Sequence, residues 1–301
     1  MKKKILILGS AGMLGIEVLR EFSKNNNFEL TSTYRTRKDL TLIKKVLSQD
    51  ISNVFWKKFI IKGDYEKNLK KIVKNKDYII NCIGVIKPYI NEESLLSVKN
   101  AIEVNSIFPH CLKKNIDKKT KVLQIATDCV FDGKKGNYYE NSSHNAKDIY
   151  GKTKSLGEVN SKNFFNIRCS IIGKEIKNYK SLVDWFLSSK KGITLNGFTN
   201  HLWNGVSTRY FARCLKIIIS KNIQIPNLIH LVPSNTISKY ELLKIFIEKF
   251  NRIDLKINKT KSGASVNRVL KSKNKKLIVK INKKLGFKKI PSVKEIVCGM
   301  L

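Results

Sequence analysis

The segment Gly9-Ser10-Ala11-Gly12-Met13-Leu14-Gly15 constrains the fold more than any other stretch of this chain. It lies between an apolar run at 5–8 and a segment at 13–24 whose Leu14, Val18, Leu19 and Phe22 share one helical face. Strand, glycine turn and helix, in that order, specify the opening of a β-α-β unit. Gly9 permits the tight turn, Gly12 lets a pyrophosphate approach the backbone, and Gly15 lets the helix pack close to the sheet. The helix N-terminus then presents free N–H groups and partial positive charge to phosphate. Gly9, Ala11, Gly12, Met13, Leu14 and Gly15 are therefore candidate dinucleotide contacts.

The same rhythm continues. Strands are predicted over 28–34, 59–62, 78–83, 121–126 and 164–168. Helices are predicted over 39–47, 65–74, 95–114 and 149–160. Such alternation implies a parallel sheet covered on both faces, a Rossmann-type doubly wound α/β fold. After Gly173 the rhythm loosens. A helix is predicted over 182–188, a loop-rich stretch over 192–207, a helix over 209–220 and a strand over 228–232. Another helix spans 238–250, opened by Ser238 with Glu241 three residues on, a capping box. The last fifty residues are lysine-rich with short apolar runs. The expectation is a dinucleotide-binding domain over 1–173, rejoined by about 209–232, and a smaller C-terminal substrate-binding lobe over most of 174–301.

Charge bounds the partners. The 59 Lys and Arg against 23 Asp and Glu leave +36 over 301 residues. That balance suits a polyanionic partner. The lysines, however, run along the whole chain beside abundant Asn and Ile, which reads as solvated helix faces rather than a nucleic-acid surface. Small phosphorylated ligands use only a few of them. No apolar stretch approaches the ~20 residues that span a bilayer, so no membrane partner is expected. Cys82, Cys111, Cys129, Cys169, Cys214 and Cys298 form no C-x-x-C pair. They read as free thiols of a reducing, cytoplasmic compartment, with neither disulfides nor a metal site. The start, Met1-Lys2-Lys3-Lys4, imitates a secretory signal, but its apolar run stops at Gly9.

The end of the second strand separates NAD(H) from NADP(H). A carboxylate there binds the ribose hydroxyls. The chain has Thr33-Tyr34-Arg35-Thr36-Arg37-Lys38, with no carboxylate before Asp39. Arg35 and Arg37 suit a 2′-phosphate, so NADP(H) is favoured.

The sharpest chemical motif is Tyr150-Gly151-Lys152-Thr153-Lys154. Tyr150 and Lys154, four apart, share one helix face. A tyrosine is a poor proton donor to a carbonyl unless its phenolate is stabilised, and a neighbouring ammonium does that. Upstream, the predicted strand at 121–126 ends in Thr127-Asp128-Cys129-Val130-Phe131-Asp132-Gly133. A hydroxyl at the C-terminal end of a strand is placed to hold a substrate carbonyl. Asn81-Cys82-Ile83-Gly84 ends another strand beside the cofactor, and Asn105 lies on the helix that follows, where it holds active-site backbone or a water.

These motifs together resemble the extended short-chain dehydrogenases/reductases, and within them the dTDP-4-dehydrorhamnose reductase family. The matching pieces are GSAGMLG at 9–15, NCIG at 81–84, VNSIFP at 104–109, TDCVFDG at 127–133, YGKTKSLGE at 150–158 and IRCSIIG at 167–173. Beyond about residue 175 the resemblance rests on WNGVST at 203–208, the helix after it and the stretch at 237–243.

The resemblance implies reduction of the 4-keto group of a nucleotide-linked deoxysugar with NADPH or NADH, a step of cell-surface polysaccharide biosynthesis. It implies Thr127, Tyr150 and Lys154 as the catalytic triad, with Lys154 lowering the Tyr150 pKa. It assigns Arg35, Arg37, Asp64, Cys82, Ile83, Gly84, Asn105, Tyr150 and Lys154 to the dinucleotide, beside the glycine loop. Val85, Asp128, Phe198, Asn200, His201, Trp203 and Arg268 fall to the nucleotide-diphospho-sugar, with Trp203 or Phe198 stacking on the base and Arg268 on the pyrophosphate. The packing alternative for Phe198 and Trp203 stays open. A homodimer is the implied assembly.

Neighbouring subfamilies are weighed by one residue. The 4,6-dehydratases place Asp-Glu after the threonine, whereas Thr127 is followed by Asp128 and Cys129, which disfavours elimination. A sugar-nucleotide epimerase and a non-catalytic, NADP-binding regulatory subunit are the alternative readings. Two departures leave the sugar open. Cys129 replaces the family's usual tyrosine, and the proline common before Tyr150 is absent from Ala146-Lys147-Asp148-Ile149.

Overall fold

The computed structural model describes residues 2–47 and 51–300. Its first half builds one sheet. In chain order the elements are β1 (Lys3–Leu8), α1 (Met13–Ser23), β2 (Phe28–Tyr34), α2 (Arg37–Leu47), β3 (Val54–Lys58), α3 (Glu66–Val73) and β4 (Tyr78–Asn81). Next come α4 (Leu95–Ile102), a π-helical turn (Glu103–Ile107), α5 (Phe108–Asn115), β5 (Lys121–Thr127), α6 (Ile149–Leu156) and β6 (Phe164–Cys169). Ile5, Leu6, Ile7 and Leu8 are all fully buried. A strand apolar on consecutive residues needs cover on both faces, which only a central parallel strand receives.

After β6 come β7 (Ile171–Ile172), α7 (Leu182–Leu187), β8 (Thr194–Phe198), β9 (His201–Trp203), β10 (Val206–Ser207), α8 (Thr208–Ser220) and β11 (Leu228–His230). The chain ends in β12 (Ile237–Ser238), α9 (Lys239–Phe250), β13 (Lys256–Thr260), β14 (Val266–Asn267), α10 (Lys275–Lys284) and α11 (Val293–Cys298). The large sheet has the order β11-β6-β5-β4-β1-β2-β3, parallel throughout. Strand β11 thus returns to it, and α8 packs on α1. One apolar cluster joins the sheet to the α1, α2 and α8 side. A second covers the opposite face with Leu69, Phe108 and Leu112. A third, around Val183, Trp203, Leu242 and Phe246, belongs to the small sheets and α9.

Four sequence expectations are corrected. The third strand is Val54–Lys58, not 59–62. It is an edge strand, and in it only Val54 is buried while Phe55 lies exposed, so it lacks the apolar run of a central strand. The apolar Phe59 beyond it packs instead against Tyr65 and Phe108. The helix expected over 95–114 is interrupted by the π turn, because Pro109 has no N–H to give the Asn105 carbonyl. Helix α6 stops at Leu156, not 160, where Gly157 meets that same carbonyl; a Cβ there would sit 1.9 Å from it.

The stretch at 192–207 is not a loop but β8, β9 and β10. Its glycines are close approaches rather than turns: a Cβ at Gly197 would lie 2.9 Å from the Tyr240 backbone, and one at Gly205 2.4 Å from the Trp203 indole. The lysine-rich tail also folds, with Ile278, Ile281, Val293, Ile296 and Val297 buried under α10 and α11.

Candidate active site

Chain order reverses between β1 and β4, the neighbours at the middle of the sheet. A ligand crevice opens at such a switch point. Gly9 follows β1 with φ +83°, a left-handed conformation that glycine adopts freely. A Cβ there would lie 2.9 Å from the Ile83 side chain beyond β4, and one at Gly15 would lie 2.1 Å from the Gly9 carbonyl oxygen. Gly12 caps α1 with no side-chain hydrogen bond, and the helix has no acidic residue in its first turn. A helix start leaves its first N–H groups without intrahelical partners, and here no carboxylate stands in that turn to repel a phosphate. Met13 and Leu14 belong to that turn, and Ala11 is buried in the loop before it. The cradle fits a dinucleotide.

Beyond β2, Arg35 and Arg37 are exposed at the surface. Asp39 is buried, and it caps α2: its Oδ2 accepts from the Thr36 N–H at 3.2 Å while its own N–H donates to the Thr36 hydroxyl at 3.1 Å. Its Oδ1 pairs with Lys177, and Arg35 stands 3.9 Å from Oδ2. Burial pushes this carboxyl up, but Lys177, the Thr36 N–H and Arg35 together hold it below the usual range. Asp64 is exposed and lines a cavity of about 440 Å³ with Tyr65, Glu103, Ile107 and His110.

At the end of β4, Cys82 donates its N–H to the Leu8 carbonyl, and burial pushes its thiol up to about 12. Gly84 leaves the room that Asn105 and Lys154 occupy: its Cβ would lie 3.4 Å from the Asn105 Oδ1 and 4.0 Å from the Lys154 Nζ. Asn105 is fully spent. It accepts from the Val85 N–H at 2.9 Å, donates to the Val85 carbonyl at 2.9 Å and reaches the Thr153 hydroxyl at 3.2 Å. It is 1% exposed and holds active-site backbone, as expected of it, fastening Val85 against α6.

The catalytic candidates converge because α6 is drawn tightly against the end of β5. A Cβ at Gly151 would lie 2.3 Å from the Cys129 carbonyl oxygen. Asp148 caps the helix, accepting from the Gly151 N–H at 2.9 Å. These contacts set Tyr150 beside Thr127, whose hydroxyl favours the phenolate. Burial, reinforced by Cys129, Asp128 and Cys169, raises the Tyr150 phenol well above its ordinary value; the Thr127 hydroxyl acts in the opposite direction. Lys154 donates to the Ile125 carbonyl at 3.1 Å. Burial lowers its ammonium to about 8, opposed by the nearby Glu158 carboxylate.

Desolvation dominates the Tyr150 phenol here, and it keeps the proton on the phenol oxygen. Glu158 had no role assigned from the sequence. Its carboxylate is gripped by the fully buried Arg168, with Nε–Oε1 at 3.0 Å and Nη2–Oε2 at 2.6 Å.

On the substrate side, Asp128 is buried beside Thr127, 3.3 Å from its hydroxyl. Burial raises its carboxyl, while Arg268 and Lys239 pull it back. Arg268 donates Nε to the Phe131 carbonyl at 2.9 Å, and its other two guanidinium nitrogens carry no protein hydrogen bond among the described residues. Lys239, given no role by the sequence, extends over the Trp203 ring at 5.5 Å with no hydrogen-bond partner among the described residues. Burial lowers its ammonium to about 8 against the pull of Asp128. The Ser238 capping box, which the sequence did signal, is what fixes Lys239 at the first position of α9.

Three lobe assignments change. Trp203 is 5% exposed and donates its indole N–H to the Ser170 hydroxyl at 2.8 Å, so it packs the lobe rather than stacking on a base. Asn200 donates to the Ser262 carbonyl at 2.8 Å and accepts from its N–H at 3.0 Å. His201 contacts the Ser262 hydroxyl at 2.6 Å and the Ala264 carbonyl at 3.0 Å. Both are committed to holding the turn at 261–265. Phe198 is half-buried and packs on the His201 ring at 4.9 Å.

Comparison with known proteins gives the family and the fold. A family model described as the RmlD substrate binding domain matches residues 2–301. A hypothetical dTDP-4-dehydrorhamnose reductase from Sulfolobus tokodaii is 24% identical, with both chains covered in full and a TM-score of 0.71. A dTDP-4-dehydrorhamnose reductase from Bacillus anthracis, solved in complex with NADP, is 16% identical over 99% of this chain and 98% of that one, with a TM-score of 0.71. Among curated proteins, the methionine adenosyltransferase 2 subunit beta of Danio rerio is 26% identical over 156 residues, 52% of this chain and 42% of that protein. The chain spans less than half the length of the curated relatives it matches.

Proposed function

The chain belongs to the RmlD substrate binding domain family, and from that premise we propose that it is an oxidoreductase that reduces the keto group of a nucleotide-activated deoxysugar with NADPH. The observation that carries this reading is the convergence of Thr127, Tyr150 and Lys154 at the end of β5, with only β4 between it and β1, which leads into the glycine cradle. Bound nicotinamide supplies the hydride. Tyr150, protonated at neutral pH because burial raises its phenol, donates the proton to the keto oxygen. Thr127 orients that oxygen through its hydroxyl. Lys154, still mostly charged at pH 7 and pinned to the Ile125 carbonyl, favours the phenolate left behind. Lys239 and the free end of Arg268 take acceptor oxygens of the nucleotide sugar.

Cys129 in place of a carboxylic acid favours simple reduction over elimination. The preserved Thr127–Tyr150 contact favours an enzyme over a non-catalytic dinucleotide-binding subunit. We assign residues 1–173 with the returning 209–232 to the dinucleotide, and the remainder mainly to the sugar nucleotide. The six free thiols suit the cytoplasm. The exposed Leu95, Leu96 and Leu156 on the neighbouring α4 and α6 support a homodimer. Sedimentation of the protein as a monomer at assay concentration would remove that assembly.

The deciding experiment is a panel of nucleotide-linked 4-keto sugars followed by NADPH absorbance. The expected outcome is stoichiometric NADPH consumption with at least one of them. Sugar isomerisation with no net change in the dinucleotide would replace the reductase reading by an epimerase.

A further inference from the structure

We propose that Lys177, on the segment leading from the sheet into the lobe, is a determinant of cofactor choice, acting by neutralising Asp39. This rests on the proposed preference for NADPH. Three observations carry it. Asp39, on the first turn of α2, is the first carboxylate after β2, whose end is where an acidic residue ordinarily accepts the ribose hydroxyls of NAD(H). Its two oxygens are both engaged: Oδ2 by the Thr36 N–H of the helix cap, Oδ1 by the Lys177 ammonium. Arg35, the cation placed for a 2′-phosphate, stands only 3.9 Å from that carboxylate, close enough for an unpaired Asp39 to cancel much of its charge.

Lys177 is 138 residues away in sequence and comes from a different part of the fold. Its segment is held in place by other contacts. Asn178 and Tyr179 are both left-handed, the Glu175 carboxylate accepts from the Lys180 N–H at 2.6 Å, and Lys180 lies over the Tyr89 ring at 5.0 Å. The ammonium is thus delivered to Asp39 by a built turn. With Lys177 in place, Asp39 offers no free acceptor to a ribose and Arg35 keeps its charge for a phosphate. Cofactor selection, on this view, is shared between the β2 end and a residue from beyond β6.

The test is a cycle of binding measurements, with dissociation constants of NADPH and NADH read from nucleotide fluorescence on the intact protein. Lys177→Gln is expected to weaken NADPH about fivefold relative to NADH, the size of a partly exposed charge interaction. Asp39→Asn is expected to leave NADPH binding equal or tighter. The double variant is expected to recover the wild-type ratio, since nothing then remains to be neutralised. Loss of both cofactors in equal proportion by Lys177→Gln, with no recovery in the double variant, would make Lys177 a fastening of the segment and overturn the inference. A wild-type protein that binds NADH as tightly as NADPH would instead overturn the cofactor preference itself, whatever the variants do.

Discussion

The sheet side and the lobe side of the cleft spend their polar groups differently. On the sheet side, Thr127 donates its hydroxyl to Asp128 and accepts from the Cys129 N–H, while Lys154 gives the Ile125 carbonyl one of its three donors. On the lobe side, Asn200 looks like a ligand but exhausts its amide on the turn at 261–265, and His201 spends its Nε2 there. Lys239 and Arg268 keep unspent donors. Residue type does not separate the two kinds; unspent donors do. An amide whose donors and acceptors are all paired at home has little to give a ligand, because binding would first cost those bonds.

The largest expected effect breaks the comparison on the sheet side. Tyr150→Phe removes the proton donor and little volume, so NADPH-dependent turnover is expected to fall by about 10²–10⁴-fold. NADPH binding is expected to stay within about twofold, or about 0.4 kcal/mol, since the ring is kept and only one hydroxyl is lost. Turnover retained in full would place the proton donor elsewhere.

A smaller effect sharpens the lobe side. Lys239→Met keeps the packing over Trp203 but removes three donors. It is expected to raise KM for the nucleotide sugar about tenfold with kcat changed less, the signature of lost ground-state binding. His201→Ala is expected to lower thermal stability while leaving KM nearly unchanged. If the two variants exchange these signatures, the unspent-donor argument fails for this lobe.

The sheet was legible in the sequence because its topology repeats. Strand and helix spacing marked the glycine turn after β1, and the family resemblance added Thr127, Tyr150 and Lys154 at the end of β5. The edge strand Val54–Lys58 was not, since with one residue buried it lacks the apolar run that marks a central strand. Lobe strands such as His201–Trp203 are three residues long and pair with partners such as Val266–Asn267, more than sixty positions away. No local pattern announces such a pairing. Gly197 and Gly205 even mislead, reading as turns where they serve close packing. Lys239 and Lys177 were missed for a related reason: in a chain of 59 Lys and Arg, the functional ammonium is marked only by what surrounds it.

The smallest effect concerns stability and again divides the halves. His230 on β11 contacts the buried Arg168 at 2.7 Å, and its Nδ1 meets the Lys271 carbonyl at 2.7 Å. Burial, followed by the Arg168 charge, lowers its imidazole to about 4 from an ordinary 6.5. The ring is neutral in the folded protein and takes up a proton more readily when unfolded. The unfolded chain therefore binds more protons between these two values, and stability rises with pH across that window. The contribution is fully present above about 6.5 and is lost as pH falls toward about 4. Thermal midpoints are expected to drop over this interval, and a His230→Gln variant, which cannot titrate, is expected to flatten the drop. The lobe carries no comparable histidine, its His201 lying at the turn with part of its surface open. An unfolding profile unaltered by His230→Gln between pH 4 and 6.5 would move the acid-sensitive node off the β6–β11 edge of the sheet.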